Sequence, residues 1–266
     1  MRFLSLTLAA AVVAGAQTYS ASETLDAVIE KAIEEDQIPG AVLLVGRRDE
    51  ILHLKAYGSR ALTPKQEAMT TDTIFYVASL TKVVATTAAI MKLDEEGKVR
   101  LNDPVTTYLK EFQGGKSPIT VRHLLNHFSG LRPDLDLKPA WSGYKTGIQK
   151  AMVDKPVAEP GQRFIYSDIN FILLGEIVHR VSGKMLPDYV NEKVFRPLKM
   201  KETMFRPPAS LRARIAPTER VDGRVLRGVV HDETTRYMGG VAGHAGLFST
   251  AKDLSLIHIS EPTRLL

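Results

Sequence analysis

The pattern of apolar and polar positions begins with one amphipathic segment and two short strand-like runs. From Ser22 to Asp36 the apolar residues recur at helical spacing, and Ile38, Pro39 and Gly40 end that pattern. Apolar runs over 41–45 and 51–57 then flank the polar segment 47–50. We therefore expect an amphipathic helix followed by an antiparallel hairpin that packs on it.

A second helical segment starts near Ser79. Its apolar residues repeat at helical spacing, and neither Gly nor Pro interrupts it before Gly97; they are Val83, Val84, Thr87, Ile90 and Met91. We expect Ser79 to lie at the N-terminus of a long buried helix, with Lys82 on the same face one turn later.

Helical signals dominate the next hundred or so residues, and strand signals return only late. The pattern predicts helices over 120–127, 170–181 and 187–195. Strand-like alternation reappears over 223–230, before a glycine-rich loop over 239–248. Too few strands follow the helical part to complete a sheet against the first hairpin.

Ser79 and Lys82 form the candidate nucleophilic pair. A hydroxyl at a helix N-terminus lies near unpaired backbone N–H groups, and a neighbouring ammonium favours its alkoxide. The same serine-to-lysine spacing occurs at 142–145, in a non-periodic segment, and at 249–252, which is typical of helix capping. A simple helix cap is the alternative interpretation of Ser79 itself.

Tyr166 is the candidate base. It follows a turn and an extended run, and it precedes the helix predicted from Asn170. A phenol is a weak base at its ordinary pKa of about 10, but a nearby ammonium favours phenolate. Tyr189 also begins a Tyr-x-Asn pattern, yet it fits the packed face of a helix.

The histidines give no metal site from sequence alone. His123 and His127 are four residues apart on a predicted helix, but position 124 is Leu rather than Glu, so we assign them a structural role. His244 lies among glycines that suit either close approach to a ligand or a tight turn between packed elements. The glycine-rich loop lacks the Lys-Ser/Thr ending of a phosphate-binding loop, and no cofactor is predicted.

Composition narrows the class of protein. With 266 residues and 44% hydrophobic positions, the chain can bury one large core or two packed lobes. Basic and acidic residues are interspersed at a net charge of +5, which argues against a nucleic-acid partner. The chain has no Cys, which excludes disulfides, thiolate metal sites and a lipoprotein anchor.

The N-terminus is typical of a secretory signal. Residues 1–16 carry a basic start, an apolar stretch and an Ala-Gly-Ala cleavage site, and the apolar stretch is shorter than the roughly 20 residues of a membrane span. We expect a secreted or periplasmic protein with no stable membrane anchor. One domain then spans 17–253, and a separate tail spans 254–266.

Several segments together resemble the serine hydrolases related to class C β-lactamases, D-alanyl carboxypeptidase penicillin-binding proteins and β-lactamase-fold esterases. The resemblance covers roughly residues 22–253 and is carried by 75–91, 119–131, 160–183 and 197–200. It implies an α/β (α+β) fold in which an antiparallel sheet is flanked by helices beside a mostly helical lobe.

The resemblance also assigns roles to individual residues. Ser79 would be the acylated nucleophile, Lys82 its partner and Tyr166 the general base. Asp168 stands where most members have Asn, and Asp168 and His244 are the candidate substrate-binding residues. An anion near Lys82 alters the electrostatics of such a site.

The C-terminal end departs from the family. The expected third motif and its strands do not follow Asp253, and residues 254–266 resemble a translated sequencing adapter. We expect the natural gene to continue beyond this point, and we expect the chain as printed to be inactive. Sequencing source DNA across codon 254 tests this expectation.

The leading hypothesis is an exported serine hydrolase that transfers an acyl group from a D-alanyl peptide, a β-lactam or an ester. The alternative is a non-catalytic cell-envelope protein of the same fold that binds peptidoglycan peptides. The sequence leaves the acyl substrate and the oligomeric state open.

Overall fold

The structure, a computed structural model, describes residues 19–48, 50–115 and 118–260, with side chains to Ile257. The predicted signal segment 1–16 and the end of the predicted tail, 261–266, lie outside the described residues. None of the helices in the described part of the chain combines the length and the apolar character that a membrane span requires.

The first lobe is the predicted helix and hairpin. Helix α1 spans Ser22–Glu34, and strands β1 (Gly40–Arg47) and β2 (Glu50–Ala61) pair antiparallel with Arg47 opposite Glu50. A short strand β3, Glu67–Ala68, pairs with the far end of β2. Helix α1 packs on β2, so this part of the prediction is confirmed.

The helical lobe supplies most of the apolar core. Its elements are a first π-helix Lys82–Thr87, α2 Ala88–Glu95, a 3₁₀-helix Val105–Thr107, α3 Val121–Leu125, α4 Tyr144–Val153, α5 Asp168–Ser182, α6 Leu186–Val190 and a second π-helix Asn191–Phe195. Helix α5 is its centre, because every residue from Ile169 to Val178 is buried. A helix that is buried on all sides holds its first turn in a fixed position.

The remaining strands are short. Strands β4 (Phe75–Tyr76), β5 (Met204–Phe205) and β8 (Leu247–Ser249) form a sheet with β8 in the middle, and β6 (Arg220–Val221) pairs with β7 (Arg224–Val225). A 3₁₀-helix Ala209–Arg214, helix α7 Glu233–Tyr237 and helix α8 Ala251–Ser260 complete the described elements.

Two expectations about the strands need correction. The described residues form three small antiparallel sheets rather than one continuous sheet. The alternation over 223–230 yields only the two-residue strand β7, and Gly228, three residues beyond its end, adopts a positive φ of 73°. Alternation alone does not keep a strand extended where the backbone turns.

The helix that follows Ser79 is less buried than its apolar pattern predicts. Val84 and Ile90 are in the core, whereas Val83 is 57% exposed and Met91 is 41% exposed. The segment starts as a π-helix, whose wider turn rotates side chains away from the 3.6-residue repeat. The prediction of one buried stripe was therefore wrong at Val83 and Met91.

The glycine-rich loop packs between α5 and the first π-helix. A Cβ at Gly243 would lie 1.8 Å from the Phe171 carbonyl oxygen of α5, so only glycine fits there. On its other side, the Thr86 hydroxyl of the first π-helix donates to the Gly243 carbonyl oxygen at 2.6 Å. The loop thereby fixes the next residue, His244, beneath the start of that π-helix.

Candidate active site

Ser79 lies in an exposed turn between β4 and the first π-helix. The preceding residue, Ala78, has a φ of 45°, a conformation that non-glycine residues rarely adopt. The Lys82 N–H donates to the Ser79 carbonyl oxygen at 3.0 Å and closes the turn. Within the described part of the chain, the Ser79 N–H has no backbone acceptor. Both this donor and the Ser79 hydroxyl therefore face solvent, where a substrate can reach them.

Lys82 is a buried cation whose ammonium has three oxygen neighbours. Its residue is 3% exposed, and its Nζ donates to Ser79 Oγ at 3.0 Å and to the His244 carbonyl oxygen at 3.2 Å. The third neighbour is Asp168 Oδ1 at 2.6 Å. The first two contacts are hydrogen bonds, and the third is an ion pair without hydrogen-bond geometry. The charge of Lys82 is therefore balanced by Asp168, directly beside the serine hydroxyl.

Tyr166 faces the same ammonium from the segment that leads into α5. The Lys82 Nζ lies 4.8 Å from the centroid of the Tyr166 ring, and Tyr166 is 46% exposed. Ser167 caps α5 by accepting from the Asn170 N–H at 3.4 Å, and the Asp168 N–H donates to the Pro133 carbonyl oxygen at 2.7 Å. The predicted helix start thus brings Tyr166 and Asp168 to Ser79 and Lys82.

His244 lies below this group rather than on its surface. The residue is 1% exposed, and its Nε2 is 2.9 Å from Asp232 Oδ1 and 3.0 Å from the Thr235 hydroxyl oxygen. Burial opposes ionisation of Asp232, but the hydrogen bond from His244 holds the pKa of that carboxyl well below its usual range. His244 reaches the site through its carbonyl oxygen, and its role in binding substrate stays a prediction.

Asp168, Asp232 and His244 bring their ligand-type atoms within 4.8 Å of one another. Such a set of donors is of the kind that binds a cation. The positive charge at this place in the structure is the Lys82 ammonium, 2.6 Å from Asp168. Asp168 thus pairs with Lys82, and Asp232 pairs with His244 at 2.9 Å.

The two other serine-to-lysine matches do not form a comparable pair. Ser142 lies in an exposed loop before α4. Ser249 is fully buried in β8 and bonds the Thr203 hydroxyl at 2.8 Å. His123 completes the capping box of α3, since its Nδ1 accepts from the Thr120 N–H at 3.3 Å while its own N–H donates to the Thr120 hydroxyl oxygen at 3.2 Å. Among these candidates, only Ser79 has a lysine within hydrogen-bond distance.

Sequence reasoning missed the acidic residues under the site. Asp134 is half-buried against α7, where it accepts from the Thr234 hydroxyl at 2.9 Å, and this partial burial raises the pKa of its carboxyl. Asp232 caps α7 by accepting from the Thr235 N–H at 2.6 Å. A capping pattern would have located Asp232, but no spacing in the sequence brings these carboxylates to Lys82.

An exposed serine beside a buried lysine and a tyrosine, at the junction of a small sheet and a helical lobe, is the arrangement of lysine-assisted serine hydrolases. The family comparison agrees with this class. A family model described as Beta-lactamase matches residues 25–261. The chain belongs to the β-lactamase family of serine hydrolases, and the resemblance stated from the sequence is confirmed.

Individual relatives span several activities. The chain is 33% identical over 256 residues to a putative D-alanyl-D-alanine carboxypeptidase of Escherichia coli O157:H7, a match that covers 82% of this chain and 59% of the relative. The chain therefore spans about three fifths of that relative's length.

Two solved structures show the fold. An octameric penicillin-binding protein homologue from Pyrococcus abyssi superposes with a TM-score of 0.74 at 28% identity, covering 89% of this chain and 55% of the other. A class C β-lactamase superposes with a TM-score of 0.73 at 24% identity, covering 89% and 63%. The predicted β-lactamase-like fold is confirmed at this level.

Proposed function

We propose that the chain is an exported serine hydrolase that acts through an acyl-enzyme. The observation that carries the proposal is the contact of Lys82 Nζ with Ser79 Oγ at 3.0 Å, with the centroid of the Tyr166 ring 4.8 Å from the same ammonium. An ammonium beside a serine hydroxyl stabilises the alkoxide that attacks a carbonyl carbon. The family assignment supports a hydrolase of this kind.

The reaction divides into two acyl transfers. Ser79 Oγ bonds to the substrate carbonyl carbon while its proton passes to the oxygen of Tyr166, which acts as a phenolate, and the Ser79 N–H stabilises the oxyanion that forms. Collapse of the tetrahedral intermediate breaks the bond to the leaving group, which takes the proton. Water then adds to the acyl-enzyme in the same way and releases the acid and free Ser79. Lys82 stays an ammonium throughout, because Asp168 and the His244 carbonyl oxygen hold it in place.

The substrate is proposed as a D-alanyl peptide, a β-lactam or an ester, with peptidoglycan peptides as the natural class. The similarity to the putative D-alanyl-D-alanine carboxypeptidase of Escherichia coli supports the first of these. Asp168 would contact a donor group of the substrate, since an ionised carboxylate only accepts hydrogen bonds. We further propose that residues 1–16 direct the protein to the periplasm or the exterior.

Covalent labelling tests this proposal without requiring turnover. The purified chain is treated with a fluorophosphonate and with a fluorescent penicillin, and the adduct is located by peptide mass spectrometry. We expect the label on Ser79, no label in Ser79→Ala and slower labelling in Tyr166→Phe. The expectation that the chain as printed is inactive in hydrolysis stays a prediction, and p-nitrophenyl ester turnover measured alongside the labelling tests it separately.

One observation favours the alternative of a non-catalytic peptide-binding protein. The Lys82 ammonium already donates hydrogen bonds to Ser79 Oγ and the His244 carbonyl oxygen, and its charge is paired with the carboxylate of Asp168. Such a lysine would hold a ligand carbonyl near Ser79 without activating the serine. Reversible peptide binding without any covalent adduct on Ser79 would favour this alternative over the hydrolase.

A further inference from the structure

His127 has more contacts with the candidate base than its assignment as a structural histidine explains. It follows α3 and adopts a left-handed backbone with a φ of 62°. Its ring stacks on the Tyr166 ring, with 4.4 Å between centroids and 28° between planes. The residue is only 9% exposed, whereas Tyr166 is 46% exposed. The more exposed Tyr166 ring thus stacks on the buried ring of His127.

The same residue also holds the backbone on both sides of Tyr166. The Ile165 N–H donates to the His127 carbonyl oxygen at 2.9 Å, and the Ser167 N–H donates to His127 Nδ1 at 3.0 Å. Because Nδ1 accepts this bond, the neutral ring carries its proton on Nε2. The His127 backbone therefore fixes the residue before Tyr166, and its side chain fixes the residue after Tyr166 and the ring itself.

We propose that His127 is a positioning residue for Tyr166, and that protonation of its ring releases the phenol. A proton on Nδ1 replaces the acceptor of the Ser167 N–H with a second donor, so that bond is lost. This inference rests on the proposed function, in which Tyr166 moves the proton of Ser79.

The surroundings keep the ring neutral in the working state. Burial and the Lys82 ammonium, which extends from the first π-helix, lower the pKa of His127 below its ordinary value of 6.5, while Asp168 at the start of α5 opposes that shift. Lys82 and Asp168 are the charged groups that face His127 from these two elements. The release of Tyr166 is therefore expected only on the acid side of the ordinary histidine range.

The first experiment measures the rate of fluorophosphonate labelling of Ser79 across pH for four proteins. In His127→Phe the Ser167 N–H loses its acceptor, and we expect labelling about tenfold to a hundredfold slower. His127→Asn keeps an acceptor and tolerates a left-handed backbone, so we expect a partial rescue and loss of the acid limb seen in the wild type. His123→Asn is the matched control; it weakens the cap of α3 without touching Tyr166, and the labelling rate and pH profile should be unchanged.

A double-variant cycle separates positioning from general stability. In a Tyr166→Phe background, His127→Phe should have almost no further effect on the rate, because the group it positions can no longer transfer a proton. Equal effects in both backgrounds, or an acid limb that persists in His127→Asn, would overturn the proposal. Labelling that survives Ser79→Ala would instead refute the proposed function.

Hydrogen exchange decides the matter even if the wild type takes no label. Amide exchange is followed in the peptide that contains residues 164–168, for the wild type and the same variants. We expect faster exchange there in His127→Phe and in the wild type at acid pH, after correction for intrinsic exchange, but not in His123→Asn. Unchanged protection of this peptide in His127→Phe would contradict the positioning role directly.

Discussion

Substitution of Asp168 should show how much the Lys82–Asp168 ion pair contributes to the stability of the fold. In Asp168→Ala the Lys82 ammonium keeps only Ser79 Oγ and the His244 carbonyl oxygen as partners. The Lys82 side chain is 4% exposed and that of Asp168 is 21% exposed, so water cannot fully replace the carboxylate. We therefore expect a large loss of stability from a single side chain.

The magnitude follows from the burial of the pair. Removing one partner of a buried pair typically costs 3–5 kcal/mol, and the partial exposure of Asp168 places this case near the lower end, at about 3 kcal/mol. For a chain of this size, 1 kcal/mol shifts the unfolding midpoint by about 2–4 °C. Asp168→Ala should therefore lower Tm by about 6–12 °C. Asp168→Asn keeps one acceptor and should lose about half as much.

Thermal and urea unfolding of the purified protein at pH 7 measure this effect. Asp136→Ala is the matched control, since Asp136 is 69% exposed and its bond to Arg132 should contribute less than about 1 kcal/mol. Lys82→Met combined with Asp168→Ala should lose clearly less than the sum of the single variants. A shift under about 2 °C for Asp168→Ala, or additive losses in the double variant, would show that the pair does not stabilise the fold.

Two further predictions concern positions away from Ser79. Arg227 and Arg60 lower the pKa of Glu67 from 4.5 to about 2, so the contribution of Glu67 to stability is complete above pH 4.5 and is lost as the pH falls toward 2. In urea titrations, the difference in unfolding free energy between the wild type and Glu67→Gln should therefore shrink over that pH range. A difference that stays constant with pH would contradict this prediction. Gly243→Ala places a Cβ 1.8 Å from the Phe171 carbonyl oxygen, so this variant should show no cooperative unfolding in circular dichroism. At Gly46 the nearest atom is 3.5 Å from an added Cβ, so Gly46→Ala is the control and should unfold like the wild type.

Local patterns predicted the elements that carry the site. The stripe of α1 and the two apolar runs after it are enough to predict the hairpin, because helix and strand periods differ. The serine-to-lysine spacing at 79–82 is likewise local, and three residues on a helical turn bring the two side chains together. Tyr166 was placed at a helix start by the apolar pattern of α5 that follows it.

Long-range contacts account for what the sequence pattern did not provide. Lys82 meets the His244 carbonyl oxygen across 162 positions of the chain, and the Thr234 hydroxyl meets Asp134 across 100. The hydrophobic periodicity of a segment does not predict contacts between residues so far apart in the chain. His127 shows the same limit, since its spacing from His123 indicated a helix face, whereas in the structure its ring stacks on Tyr166, which belongs to another segment. The π-helix at Lys82 also made the prediction of one buried stripe wrong, because that prediction assumes 3.6 residues per turn.

The measurement that tests the central claim most directly is the site of covalent modification. The purified chain is incubated with a fluorophosphonate, digested and mapped by mass spectrometry beside Ser79→Ala and Lys82→Ala. The account predicts one adduct, on Ser79, that is absent in Ser79→Ala and strongly reduced in Lys82→Ala. An adduct on another serine, or labelling of Ser79 at an unchanged rate in Lys82→Ala, would contradict the claim that Lys82 activates Ser79.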